Sequence, residues 1–451
     1  MNEELILLNE LQELIKAKNI LKLREFFDEY NIVDLAELVN ELETAEIIFV
    51  LKTVPKDITG QIFSYLDNDV IEKLITVLNS DEIRVILNSL YSDDLVDFLQ
   101  ELPGPLAKKV LSNVSLQQKQ IINNLLSYQE DTAGSIMSTS YLELAANDTV
   151  AKAMEKIKHY GKKAETLGKC FVLDDKGLLI GTISLRDILF AQNDNVVADL
   201  MDTGYISVLT SNDNEMVARI MQKYDDTVIA VTDAEQHMLG IITVDDVIDI
   251  IQEEATEDIH KMAAISPIEH PYIETSPLRI AGSRLVWLML LMVSYALSSI
   301  IITNNDQLLV AVPTLITFIP MLMDTSGNAG SQASAMVIRG ITVDNLTIHD
   351  FFKVLFKELS IAVICGAILF VINVLRIVIF VPNVGISMAL IVSISVFLVV
   401  ILAKLVGGLL PLLALVIKMD PAVLASPLIT TACDAISLIT YFSLARLWLG
   451  L

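Results

Sequence analysis

The chain has 451 residues, 53% of them hydrophobic, with a formal net charge of −25 and a mean hydropathy of +0.57. It is too apolar for an ordinary soluble protein and too charged for a purely membrane-embedded one, so it reads as a hybrid. From Pro271 onward there are nine Lys or Arg and eight Asp or Glu, leaving 22 basic and 48 acidic residues before it. The acidic part lacks the basic face a phosphate backbone requires, which excludes nucleic acid and makes cations the natural counter-charge.

In chain order, the N-terminus begins MNEELILLNELQELIK, with acids where a cleavable signal has bases, so later hydrophobic spans are expected to direct insertion. Residues 1–131 show apolar positions at helical spacing, as in Leu35, Leu38, Val39 and Leu42, and no strand alternation. The stretches DLAELVNELE from Asp34 and DLVDFLQELP from Asp94 resemble each other, and Ser80-Asp81 and Ser92-Asp93 read as N-caps. The expected domain is all-α and superhelical, a stack of short helices.

Residues 132–195 and 196–250 repeat one α/β pattern. CFVLDDKGLLIGTISLRDIL from Cys170 and VIAVTDAEQHMLGIITVDDVI from Val228 each give a hairpin, then Thr or Ser and an Asp opening a helix. The pair resembles tandem CBS domains, which implies adenine-nucleotide contacts at Ser184 and Asp187 and at Thr243 and Asp246, with ATP or a related nucleotide as a candidate ligand. Residues 251–276 form the expected connector. Within DDVIDIIQEEATEDIHK, from Asp245, an apolar row at Val247, Ile251, Ala255 and Ile259 backs an acidic face holding Asp246, Asp249, Glu253 and Glu257, with Glu254 and Asp258 beside them. Like charges four apart cost a helix roughly 0.2–0.5 kcal/mol per pair, so this face opposes folding unless cations offset it or it is simply solvated.

Residues 277–451 read as five membrane helices. Leu285–Ile302 is an uncharged run of 18 residues, and further spans fall near 307–337, 359–381, 386–416 and 421–449. Arg279, Arg284, Arg339, Lys353, Lys357 and Lys418 lie at one set of ends, whereas the loops at Thr303–Gln307 and Pro382–Gly385 carry no Lys or Arg. The positive-inside rule puts the acidic half in the cytoplasm and the C-terminus outside. The cysteines Cys170, Cys365 and Cys433 match no metal or disulfide spacing.

The second span contains IPMLMDTSGNAGSQASAMVIRG from Ile319, placing Gly327, Asn328, Gly330, Ser331 and Gln332 in mid-membrane. Polar, glycine-broken backbone is tolerated there only against protein or a wet cavity, and the alternative is close packing of small residues. In the last span, DPAVLASPLITTACDAIS from Asp420 places Asp434 in mid-membrane with no base within a helical turn. A lone carboxylate there costs about 2.5–3.5 kcal/mol, so it marks a pathway or a partner, and Lys404 and Arg376 are the candidate partners. Oxygen-only lining suits a hard cation that keeps its waters, and a two-fold dimer would bring two Asp434 side chains to one axis. No Walker loop, HExxH helix or nucleophile elbow appears, so the chain is not expected to be an enzyme.

YQEDTAGSIM from Tyr128, GNAGSQ from Gly327, DPA from Asp420 and PLITTACD from Pro427 resemble signatures of the MgtE family, over the whole chain and in the same domain order. The resemblance implies a homodimeric Mg2+ channel or transporter in the cell membrane. It carries a pore site onto Gly327, Ser331, Thr430 and Asp434, with Asn328 and Asp420 beside them. Ser326 departs from this pattern, standing where the family usually has a second Gly, and Ser331 stands where some members have Asn. The resemblance also implies that Asp246, Asp249, Glu254, Glu257 and Asp258, with Asp213, Glu215, Asp225 and Asp226, bind regulatory Mg2+ and that the connector acts as a plug. The rival readings are a CBS-regulated transporter of another ion and a membrane-anchored sensor of nucleotide or ion.

Overall fold

The computed structural model describes residues 2–87, 90–268, 272–273, 275–382, 384–423 and 426–450. Positions 269–271 and 274 of the expected connector, Asn383 of an expected outer loop, and Leu424 and Ala425 of the last motif lie outside them. The chain divides into two compact units, Met1–Ile251 and Gln252–Leu451.

The first unit opens, among the described residues, with ten short helices: α1 Asn2–Lys16, α2 Ile20–Glu29, α3 Ile32–Asn40, α4 Thr44–Thr53, α5 Lys56–Ser64, α6 Asn68–Val77, α7 Ser80–Leu87, α8 Ser92–Glu101, α9 Gly104–Asn113 and α10 Leu116–Leu125. Leu35, Leu38, Val39 and Leu42 are buried, as their spacing requires. Alternate helices pack on one another, α3 on α5, α5 on α7 and α7 on α9, which is the layering of a stacked array.

Both expected serine caps are corrected. The amides of Asp81 and Glu82 donate to Asn79 Oδ1 at 3.0 and 3.1 Å, while Glu82 Oε2 accepts from the Asn79 amide, so Asn79 caps α7. Ser92 Oγ accepts from the Thr139 amide at 2.9 Å, 47 residues away, and that long-range partner takes it from capping duty.

Two three-stranded sheets follow. Strands β1 Glu143–Ala145, β2 Lys169–Leu173 and β3 Leu179–Ser184 form one, and β4 Ser207–Leu209, β5 Val228–Thr232 and β6 Met238–Thr243 the other. In each, the first pair is parallel and the second is the expected hairpin. The turns share one device. Asp174 Oδ1 accepts from Lys176 and Leu178 amides, and Asp233 Oδ1 accepts from Glu235 and His237 amides. Gly177 takes φ 83° in the first turn, where a side chain would be strained.

Around the sheets lie α11 Val150–Tyr160, α12 Leu185–Phe190, α13 Val197–Leu200, α14 Asn214–Tyr224 and α15 Val244–Met262. The second repeat shares its core with the helical array, through Val217, Met221, Val231, Ile242 and Val247. The first repeat has a core of its own around Leu144, Ala153, Cys170 and Ile183. Residue 251, the expected start of the connector, falls inside α15, because the apolar row continues from Val247 with no breaker in between.

The second unit contains α16 Pro277–Thr303, α17 Asp306–Ala311, a 3-10 turn at Pro313–Phe318, α18 Ile319–Thr342, α19 Phe351–Phe380, α20 Ile386–Val416 and α21 Ser426–Leu449. Four described helical stretches are long and apolar enough to cross a membrane: Pro277–Thr303, Ile348–Phe380, Ile386–Val416 and Pro427–Leu449. Helix α18, with its 24 residues, is long enough at about 1.5 Å per residue, but Asp324, Asn328, Ser331 and Gln332 make it too polar to count by composition. The expected five is therefore four by that measure.

The expected glycine break is also corrected: α18 is continuous through Gly327 and Gly330. These glycines permit close approach. A Cβ on Gly327 would sit 2.8 Å from Thr430 Cγ2, one on Gly330 2.7 Å from Cys433 Sγ, and one on Gly407 of α20 would collide with the Gly330 backbone.

Candidate pore site and acidic cluster

Packing of α18 on α21 assembles the expected membrane site. Gly327 removes the side chain that would hold the helices apart, so Ser331 Oγ reaches Thr430 Oγ1 at 3.4 Å. Asp434 lies one turn beyond Thr430 on the same face. Its Oδ1 is buried with no hydrogen-bond partner. The Ser326 hydroxyl, which donates to the Met323 carbonyl at 2.9 Å, lies within reach of the carboxylate.

Neither candidate base pairs with Asp434 among the described residues. Arg376 donates to Asn373 Oδ1 at 3.1 and 2.9 Å. Lys404 is buried in a crevice of about 440 Å³ lined also by Glu358 and Gln332. Asn328 is exposed on α18. Asp420 is not brought to Asp434: its Oδ2 lies 2.7 Å from Lys261 Nζ and its Oδ1 accepts from the Ala422 amide, so it belongs to the α20–α21 connection. Sequence reasoning passed over Asp324, a second carboxylate on α18 within electrostatic range of Asp434. Its signal was the one used for Asp434, an acid inside a hydrophobic stretch.

The first unit holds a cluster that sequence reasoning reached at only one of its three residues. Asp93 of α8, Glu165 before β2 and Asp246 of α15 bring carboxylate oxygens within 4.8 Å of one another. Thr243 Oγ1 donates to Asp246 Oδ2 at 2.6 Å, but Asp93 Oδ1 and Glu165 Oε2 are buried without a hydrogen-bond partner. Burial first, and the neighbouring acids second, raise all three carboxyls above their ordinary values. Negative charge this concentrated and this poorly solvated needs a cation or protons, and an all-oxygen donor set fits a hard divalent ion.

Several of the other expected regulatory acids have partners elsewhere. Asp213 caps α14 by accepting from the Glu215 amide at 3.0 Å, Glu215 pairs with Arg219, and Asp226 pairs with Lys169. Asp225 ends α14 in a left-handed conformation. Asp249, Glu254, Glu257 and Asp258 all lie on α15. Of the nucleotide candidates, Ser184 Oγ donates to exposed Asp187 at 2.6 Å, whereas Thr243 and Asp246 belong to the acidic cluster.

Three family models match the chain: the divalent cation transporter domain at residues 319–444, the MgtE intracellular N domain at 30–131, and the CBS domain at 133–194 and 197–253. The magnesium transporter MgtE of Thermus thermophilus is 34% identical over 447 residues, covering 97% of this chain and 98% of that protein. MgtE of Enterococcus faecalis is 33% identical over 328 residues, covering 73% and 71%. Among solved structures, the soluble part of a magnesium transporter is 31% identical with a TM-score of 0.54, covering 56% of this chain and 99% of that one. The cytosolic domain of the Mg2+ channel MgtE in complex with ATP is 32% identical with a TM-score of 0.50, covering 54% and 99%. These relatives are transporters or channels and not enzymes, and the chain belongs to the MgtE family.

Proposed function

We propose that the chain conducts Mg2+ into the cytoplasm, down its electrochemical gradient, along a polar seam between α18 and α21, and that cytoplasmic Mg2+ closes it. The observation that carries this reading is the Asp434 oxygen, buried in an apolar helix with neither hydrogen bond nor ion pair among the described residues, beside the Ser331 and Thr430 hydroxyls. Such a group is costly unless it serves a cation that brings its own water. Helix α18 is then a fifth membrane helix, whose exposed Asp324, Asn328 and Gln332 would face the pore water or the second copy of a dimer. A two-fold dimer would double the carboxylates at the axis, with Asp324 adding to the same field. The basic ends of the spans support an N-terminus inside and a C-terminus outside. A divalent ion entering gains about 4.6 kcal/mol per 100 mV, so no chemical fuel is required.

Closure follows from the acidic cluster. Without Mg2+, Asp93, Glu165 and Asp246 repel one another and loosen α8 from α15. With it, the compact arrangement binds the ion better and is populated, and the acids along α15 extend the response. ATP, seen with a similar cytosolic domain, fits the exposed Ser184 and Asp187 pair; at Thr243 its phosphates would meet three carboxylates. An anion channel is disfavoured because no base pairs with Asp434 among the described residues. A mere tether has no use for Asp434.

The test is Mg2+ flux into liposomes for the native chain and Asp434→Ala. Flux should vanish while the folded dimer persists; native flux in the variant would remove the pore from this seam.

A further inference from the structure

The last turn of α15 carries a cation among its acids. Lys261 Nζ lies 2.7 Å from Glu257 Oε1, one turn back on the same helix, and 2.7 Å from Asp420 Oδ2 on the α20–α21 connection. Asp420 is itself held, since its second oxygen accepts from the Ala422 amide at 2.8 Å. The contact is partly shielded, with the Lys261 and Asp420 side chains 24% and 35% exposed. Burial works against the ammonium, but its bonds to Asp420 and Glu257 outweigh that and keep Lys261 charged.

We propose that Lys261 is a tethered cation that bridges Glu257 and Asp420 and fastens the end of α15 to the α20–α21 connection, doing there what a diffusible Mg2+ does at the acidic cluster. This rests on the reading of α15 as part of the closing device. A divalent ion bridging those carboxylates would have to displace an ammonium that never leaves the neighbourhood. The bridge is therefore independent of ion concentration. It sets a constant bias toward the fastened arrangement, to which Mg2+ elsewhere adds a share that varies with its concentration. Loss of the ammonium should make closure more dependent on Mg2+.

The experiment is open probability against internal Mg2+ for the full-length chain in excised patches. Lys261→Gln is expected to raise the half-closing Mg2+ concentration about fivefold, the upper size for an ion pair that water partly screens, with single-channel conductance unchanged. Lys261→Arg, which keeps the charge, should stay near the native value. Asp420→Asn should shift like Lys261→Gln, and the reversed pair K261E/D420K should recover most of the loss. A half-closing concentration in Lys261→Gln at or below the native value overturns the proposal. So does a shift that the reversed pair fails to recover, which assigns the effect to packing. If the native chain does not close with Mg2+ at all, the reading of α15 as a closing element has failed and takes the bridge with it. A native chain that closes normally beside an unshifted variant sinks the bridge alone.

Discussion

Two buried acid sites in the first unit solve the same problem differently. Asp148, 1% exposed, has Lys152 at 2.5 Å and Lys156 at 2.7 Å and also accepts from the Ala145 amide. Burial pushes its carboxyl up, but the two ammonium groups and the amide outweigh this and hold it at about 2. Asp93, 7% exposed, faces Glu165 and Asp246 with no base among the described residues, and all three carboxyls are raised. One carboxylate is buried with its counter-charges built in; the other three have none among the described residues. The first arrangement is structural with or without a divalent ion. The second is complete only when a cation or protons arrive.

The sharpest way to break this contrast is to neutralise each site in turn. Asp148→Asn should destabilise the first unit by about 3 kcal/mol, the upper size for losing charge-assisted hydrogen bonds at a buried carboxylate, to the same extent with and without Mg2+. Unfolding of the full-length chain in detergent checks this, and a Mg2+-dependent loss would erase the distinction. Next, Mg2+ at about a hundred times its dissociation constant should stabilise the native unit by about 2.7 kcal/mol. In D93N/E165Q most of that gain should disappear, while the Mg2+-free protein becomes at least as stable as native; hydrogen exchange at α8 and β6 amides reports both.

The smallest effect concerns pH. Raised carboxyls bind protons more tightly in the folded state, so their contribution improves as pH falls through the raised values and worsens as it rises. The Mg2+-free unit should therefore gain about 1 kcal/mol between pH 8 and pH 5.5, with the Mg2+ response shrinking in parallel. Asp148 has the opposite sign: its contribution is present above the ordinary Asp range and is lost only as pH falls towards about 2. A chain more stable at pH 8 without Mg2+ would show that the cluster is not strained.

What the sequence made legible was local. The hairpins were visible because Asp174 and Asp233 each organise a turn within four residues, and Asp434 stood out because its neighbours are apolar. What it hid was long-range. Nothing near Asp93 announces Glu165 or Asp246, and Ser92 looked like a cap because Thr139 is 47 residues away. Asp420 was grouped with Asp434, and its contact with Lys261, 159 residues back, gave no local signal. The glycines of α18 were misjudged for a related reason: composition shows that a side chain is missing but not what occupies the space, and here it is Thr430, Cys433 and the backbone of α20. Asp324 was readable by the same rule as Asp434 and was overlooked.

Where α18 crosses α20, the missing side chains of Gly330 and Gly407 leave main chain against main chain. No rotamer stands between the two rods to soften a push, and no side chain could swing in to fill a gap if they parted. The two helices therefore travel as one stiff wall, and any widening beside Ser331 falls to α21, whose contact there combines the Ser331–Thr430 hydroxyl pair with the side chains of Ile429 and Cys433 packed on Gly330.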